Sequence, residues 1–327
     1  MKKKILLVGP VPPPVGGVSI HVARLTNRII SSADLDCALL DIGRLKFYDH
    51  KLQRKNIVES LSFFISCDIV HLHISHKWKF LIARISKMFG KKVIYTRHNA
   101  RMAGSENDIK FHSLVDAAIF VSLKNTGVLD EKSYLIPAFI SAPPGHFLPE
   151  KVLQELVKYK KVICAISSHP ENKPALIDEK DIYGFDLLLQ AFENSASDSD
   201  ILLLLLDPFG TMKAAYEKKV SQLKLKGKQI LYLTETIDFS ELLKYLTIYV
   251  RPTRSDGDSI AIREALETGV KVLASDCCLR PEGVELFASN NISSLEANLD
   301  RVLNMPDHLP KKQPEFSEMI IDIYRKL

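Results

Sequence analysis

Short apolar runs of strand length alternate with amphipathic stretches of helical period over almost the whole chain, and the alternation occurs twice. In the first half the strand candidates are Lys4–Val8, Asp36–Asp41, Ile69–His73, Lys92–Thr96, Ala117–Val121 and Tyr134–Ile136. Helical periods cover Gly17–Ile30, Lys77–Phe89 and the region of Asn56–Phe64. In the second half, strands at Val162–Ile166, Ile201–Leu206, Gln229–Leu233, Thr247–Val250 and Val270–Ala274 interleave with helices at Gly184–Asn194, Met212–Leu225, Phe239–Tyr245 and Ser259–Glu267. Strictly alternating elements predict parallel sheets wrapped by helices, an α/β fold. Between the halves, PAFISAPPGHFLP is proline-rich without a period and reads as a connector. The expected domains are 1–150 and 151–327, and the helical stretch Pro314–Leu327 is a candidate to pack back across the connector.

A chain of 327 residues accommodates two ordinary domains. The opening MKKKILLVGPVPPP is basic and apolar, but Gly9, Pro10 and the prolines that follow interrupt it before a signal-peptide core is complete. Ile201–Leu206, the longest apolar stretch, is too short for a membrane span. The five cysteines are odd in number and lack C-x2-C spacing, so neither a zinc site nor a disulfide framework is indicated. The expected location is the cytoplasm, including a peripheral position at the inner face of the membrane. Charge is unevenly divided: residues 1–110 hold 19 Lys and Arg against 8 Asp and Glu, and the remainder is net negative by 6. A basic half implies an anionic ligand or surface. Without RNP-like aromatics or a recognition helix, nucleic acid is not the expected partner.

Residues 251–276, RPTRSDGDSIAIREALETGVKVLASD, place Asp256 and Glu264 eight positions apart across a strand-to-helix junction. Asp258 or Ser259 can cap that helix, leaving the N–H groups at Ser259 and Ile260 and the positive dipole end for a phosphate. Glu264, inside the helix, can accept from a ribose diol, and Asp256 can face a second polyol. The plain alternative is a loop acid and a helix-surface acid. Near the N-terminus, GPVPPPVGGVSIHVARL places Gly16 and Gly17 where a strand gives way to a helix and a backbone can approach a ligand. It is not G-x-G-x-x-G, which argues against a nicotinamide dinucleotide. His71, His73 and His76 cluster in DIVHLHISHKWKF, read as structural or ligand-facing histidines and not as metal ligands. His98 ends a strand in YTRHNAR. Trp78, Leu81, Ile82, Ile85, Met88 and Phe89 share a helical face with lysines and arginines around it. That face is expected to pack on the sheet, with docking on anionic lipid as the alternative.

These phrases together resemble the retaining family-four glycosyltransferases of the GT-B fold, two Rossmann-like doubly wound domains facing a cleft. The family's E-x7-E reads here as D-x7-E from Asp256 to Glu264, and Lys271 replaces the usual proline of the following strand. The resemblance implies an N-terminal acceptor domain and a C-terminal nucleotide-sugar domain. It assigns His98 and Asp256 to the transferred sugar, Glu264 to the ribose, and Gly16, Gly17, Arg251, Asp258, Ser259, Ile260 and Arg263 to donor binding. It further implies transfer from a nucleotide-diphosphate sugar, with retention and without a cofactor or metal, to a glycan or lipid-linked acceptor in surface polysaccharide or glycolipid assembly. One departure matters. The family's G-R-x4-K-G, whose cations neutralise the donor pyrophosphate, is absent, and Tyr183 stands where the lysine would be. Lys173, Lys180, Arg251, Arg254 or Arg263 are the candidate substitutes. Otherwise the chain is a catalytically silent binding or scaffold protein, or a sugar-nucleotide epimerase for which the histidines at 71, 73 and 76 are the hint.

Overall fold

The computed structural model describes residues 2–13, 15–98, 104–122, 129–143, 148–168, 175–195 and 199–327. Lys173 lies outside the described residues. The chain forms two compact units, Met1–Ser141 with Pro314–Leu327, and Ala142–Gln313.

The first unit runs β1 (Lys3–Val8), α1 (Gly17–Ser31), β2 (Leu35–Asp41), β3 (Lys46–Asp49), α2 (Ile57–Ser66), β4 (Ile69–Leu72), α3 (Trp78–Met88), β5 (Lys92–Arg97), α4 (Glu106–His112), β6 (Ala117–Phe120) and β7 (Ser133–Leu135). The sheet order is β3-β2-β1-β4-β5-β6-β7, parallel throughout except for β3, which pairs antiparallel with β2. Helices cover both sheet faces, so the inner strands are apolar on both sides. Ile5, Leu6, Leu7 and Val8 of β1 are all buried. One face packs under α1 through Val22, Leu25 and Ile29.

The second unit comprises α5 (Glu150–Leu156), β8 (Lys161–Ile166), β9 (Leu176–Ile177), β10 (Lys180–Asp181), α6 (Phe185–Asn194), β11 (Ile201–Leu206), α7 (Lys213–Leu225), β12 (Gln229–Leu233), α8 (Phe239–Leu242), β13 (Ile248–Arg251), α9 (Ile260–Thr268), β14 (Lys271–Ser275), β15 (Val284–Phe287) and α10 (Ile292–Leu303). Its sheet is all parallel, β12-β11-β8-β13-β14-β15. This is the Rossmann order, which reverses direction between β8 and β13, and ligands of such sheets gather outside the carboxyl ends of the strands at that reversal. The unit begins at Ala142, and Val152 and Leu156 of α5 share a core with Val162, Cys164 and Leu202.

The chain then returns to the first unit as α11 (Ser317–Lys326), whose Ile320, Ile321, Ile323 and Tyr324 are buried in the same core as α1. Arg28 grips Glu315 with two hydrogen bonds of 2.6 and 3.0 Å at the edge of that contact.

One helix departs from expectation. Of the expected stripe, Ile82 packs partly against the core, but Trp78, Leu81, Ile85, Met88 and Phe89 are exposed, and α3 instead buries Lys79, Ala83 and Ser86. The buried ammonium of Lys79 lies 4.7 Å from the Tyr95 ring centroid and 4.3 Å from that of Phe111, a cation–π seat that lets a lysine face a sheet. The second unit contains a close backbone approach. Gly184, at the start of α6, has φ +73°, and a Cβ there would lie 2.0 Å from the Pro252 carbonyl oxygen. Gly184→Ala therefore combines left-handed strain with a backbone clash. It is expected to destabilise the second unit by more than about 3 kcal/mol. Urea unfolding followed by far-ultraviolet circular dichroism measures this, and an unshifted midpoint would refute the close approach.

Candidate functional site

In the second unit, β13 ends at Arg251 beside the carboxyl end of β8, where the strand order reverses. Arg251 holds Asp256 with two parallel hydrogen bonds, Nε to Oδ2 at 3.0 Å and Nη2 to Oδ1 at 3.1 Å. Arg280 reaches the same carboxylate from beyond β14, Nη1 to Oδ2 at 2.8 Å, and is itself fixed by Nε donating to the Ser275 carbonyl at 3.0 Å. The Gly257 amide donates to Oδ1 at 3.0 Å. Burial alone would raise the Asp256 carboxyl, but the charges and hydrogen bonds of the two arginines outweigh it and hold it at about 2. Two guanidinium groups against one carboxylate leave a surplus positive charge.

Tyr183 forms part of the same wall. Its hydroxyl donates to the Ser168 carbonyl at 2.5 Å, and the Arg251 guanidinium lies 5.6 Å from its ring centroid. The close approach of Gly184 to Pro252 brings these segments together. Ser167, next after β8, is fully buried, and its hydroxyl has no hydrogen-bond partner among the described residues.

The remaining donor candidates have varied surroundings. Ser259 takes the N-cap position of α9, which begins at Ile260. Asp258, which precedes the N-cap residue, pairs with Arg263 Nε at 2.9 Å. Glu264 is buried within α9. Arg254 holds Asp186 with two hydrogen bonds of 2.8 Å and also donates to the Asp181 carbonyl and to Asn290, so it ties the start of α6 to the loop after β13. Lys180 is exposed on β10.

In the first unit the reversal lies between β1 and β4. Gly16 is the N-cap of α1, with its N–H donating to Ser19 Oγ at 2.9 Å, and Gly17 is the first helical residue. His73 follows β4 and His98 follows β5, and His73 Nδ1 and His98 Nε2 lie 3.0 Å apart. His21, on α1, completes the group: its Nδ1 donates to the Ala138 carbonyl at 2.7 Å, and its ring centroid is 5.1 Å from that of His98. The Nε2 atoms of His21 and His73 are buried and have no hydrogen-bond partner among the described residues. His71 is a core residue, bonded to the Tyr324 hydroxyl at 2.6 Å and to Thr96 Oγ1 at 2.7 Å. His76 is exposed, so the three histidines at 71, 73 and 76 do not form one acid–base set. Burial holds His21 neutral, with its pKa lowered to about 4, and burial also lowers His71, His73 and His98 well below 6.5. The nitrogens of His21, His73 and His98 lie within 4.8 Å of one another.

Sequence reasoning missed Arg280 and His21. Arg280 lies 24 residues beyond Asp256 with no spacing rule to connect them. His21 does carry a signal, since it sits one turn into the helix that opens at Gly17.

Residues 178–319 match the family model described as glycosyl transferases group 1. The match likens this stretch, rather less than half of the chain, to a group 1 glycosyl transferase domain. No curated protein matches the chain by sequence. Among solved structures, sucrose-phosphate synthase from Thermosynechococcus elongatus is 14% identical with a TM-score of 0.69, covering 99% of each chain. HepE from Anabaena, solved in complex with UDP-glucose, is 12% identical with a TM-score of 0.66, covering 92% of this chain and 90% of that one. The lipopolysaccharide outer core galactosyltransferase WaaB is 14% identical with a TM-score of 0.59, covering 99% and 95%. At these identities the likeness is one of fold, and that fold is GT-B. The matched stretch includes Arg251, Asp256, Glu264 and Arg280.

Proposed function

We propose that the protein is a retaining glycosyltransferase that moves a sugar from a nucleotide-diphosphate donor to a glycan or lipid-linked acceptor in surface polysaccharide or glycolipid assembly. The observation that carries this reading is the Arg251–Asp256–Arg280 cluster at the strand-order reversal. It supplies a positive surplus where the usual lysine is replaced by Tyr183, and a pyrophosphate in a partly dry site requires such a cation. The amides at Ser259 and Ile260 and the dipole of α9 add to it. Glu264 holds the ribose. Asp256, whose two oxygens already accept from both arginines and Gly257, acts on the donor chiefly by fixing the arginines. Solved complexes of HepE with UDP and UDP-glucose support a nucleotide-sugar donor.

In the proposed reaction the bond between the anomeric carbon and the donor phosphate breaks. The acceptor oxygen bonds to that carbon from the same face, and the leaving phosphate takes the acceptor's proton. Arginines and helix amides stabilise the charge growing on the leaving group, and no metal is required. His98, held at Nε2 by His73, presents its other nitrogen to a hydroxyl of the transferred sugar.

The second reading, a catalytically silent glycosyltransferase-like binding protein, is favoured by one observation: both arginines are already paired to Asp256. Isothermal titration with UDP, GDP, ADP, CMP and their sugar conjugates separates the two. One nucleoside diphosphate is expected to bind, and Glu264→Gln is expected to weaken it by about 10–100-fold, the worth of a hydrogen bond to a charged group. No binding to a folded sample would leave the silent protein as the reading.

A further inference from the structure

The molecule leaves an apolar face uncovered on the first unit. In α2, IVESLSFFIS, none of the residues is buried, and Ile57, Val58, Leu61 and Ile65 are 78, 76, 56 and 61% exposed. Phe63 and Phe64 pack α2 partly against the core, and the opposite, exposed side of the helix is unusually apolar for a surface element. On α3 the stripe of Trp78, Leu81, Ile85 and Met88, with Phe89 after it, is also exposed. The two helices adjoin: the Phe64 and Phe89 rings meet edge to face at 5.6 Å, and Lys91 Nζ donates to the Ile65 carbonyl at 2.5 Å. The two adjoining helices thus both leave large apolar side chains in water, a grouping that marks an interaction surface.

The charge around the patch identifies what covers it. Lys51 and Arg54 precede α2, Lys77, Arg84 and Lys87 belong to α3 and its approach, and Lys91 and Lys92 follow it. The acidic groups nearby are engaged: Asp116 pairs with Lys87 and Lys92, and Glu59 pairs with Lys55. A second copy brought face to face would set these cations against their own images. An apolar centre with a basic rim, an exposed tryptophan included, matches the interfacial zone of an anionic bilayer. No helix among the described residues is long and apolar enough to cross a membrane, so the contact is with the surface.

We propose that α2 and α3 together dock the protein on an anionic lipid bilayer, with Ile57, Leu61, Ile65, Trp78, Ile85 and Met88 entering the headgroup–acyl boundary. This deepens the lipid-linked acceptor side of the function proposed above and rests on it only for its purpose; the docking itself requires no sugar chemistry.

Trp78 is the only tryptophan in the chain and reports on the contact directly. The full-length protein is mixed with vesicles of phosphatidylcholine, with or without phosphatidylglycerol, carrying brominated acyl chains. Co-sedimentation and Trp78 quenching are expected with phosphatidylglycerol, and both decline as salt is raised. A double variant, Leu61→Asp with Ile85→Asp, is expected to lose at least about tenfold in partitioning. Because both positions are exposed, nucleotide titration of the variant is expected to match wild type, which shows the fold intact and keeps the docking result separate from the transferase reading. Absence of quenching by phosphatidylglycerol vesicles, or undiminished partitioning of the double variant, would overturn the proposal. So would concentration-dependent self-association abolished by the same two substitutions, which would assign the face to a second copy.

Discussion

Acidification from pH 7 to pH 4.5 is expected to unfold the first unit, with Trp78 fluorescence as its reporter. His21, His71 and His73 form the buried polar heart of that unit with the partly buried His98 beside them, and burial is the foremost cause of depression in each. Neighbours reinforce it: His21 and Arg24 oppose charge on the group, and only the Ala138 carbonyl favours it at His21. In the unfolded chain each imidazole takes up a proton near pH 6.5. In the folded chain His21 does so near 4 and the others well below 6.5. Stability is therefore whole above pH 6.5 and is lost as pH falls through the interval down to the folded values. Each group contributes about 1.4 kcal/mol per pH unit there, so four approach about 5 kcal/mol per unit, against a typical domain stability of about 5–15 kcal/mol. Urea titrations at pH 7, 6 and 5 test this, because most carboxylates titrate lower. A Trp78 transition with the same midpoint at all three pH values would show that the histidines are not buried as described.

Arg280→Met is expected to lower affinity for the preferred nucleoside diphosphate by about 100-fold, the scale of a lost charge-assisted hydrogen bond in a low-dielectric site. Removing this arginine leaves Asp256 with Arg251 as its remaining guanidinium partner and cancels the local positive surplus. Breaking a buried pair also destabilises, by about 3–5 kcal/mol. The Asp256 carboxyl, held at about 2 by its two arginines, should then titrate higher. Part of the stability loss is expected to return in the double variant Arg280→Met with Asp256→Asn, whereas nucleotide affinity is not. Calorimetric titration and thermal unfolding of the three proteins separate these effects. An Arg280→Met protein with wild-type nucleotide affinity would remove the cluster from the donor site.

Both Rossmann-like sheets were legible because their inner strands are buried on both faces and read as apolar runs; Ile201–Leu206 is one in full. The turn at Gly269 likewise announced the end of α9. Short edge elements were not legible. The residues KFYD of β3 carry no apolar run, and the two-residue strands β9 and β10 have no period at all. On α3, periodicity gives a stripe without saying which way it faces. Lysine at 79 reads as a solvent-facing residue, yet aromatic rings from β5 and α4 seat it inside. The candidate site was legible as far as local grammar reached: Arg251, Asp256 and the start of α9 belong to one strand–loop–helix phrase. Arg280 and the His21–His73–His98 contact depend on the tertiary path, which brings together positions that no short phrase links.

The return of α11 to the first unit has a consequence for biosynthesis. Tyr324 and the isoleucines that complete the core beside α1 leave the ribosome only after all of residues 142–313 have been made. At about 5–20 residues per second, that delay is roughly 9–34 s. Throughout it, the nascent first unit carries an open apolar trough and a His71 imidazole still without its tyrosine, so vectorial folding of this chain ends where it began.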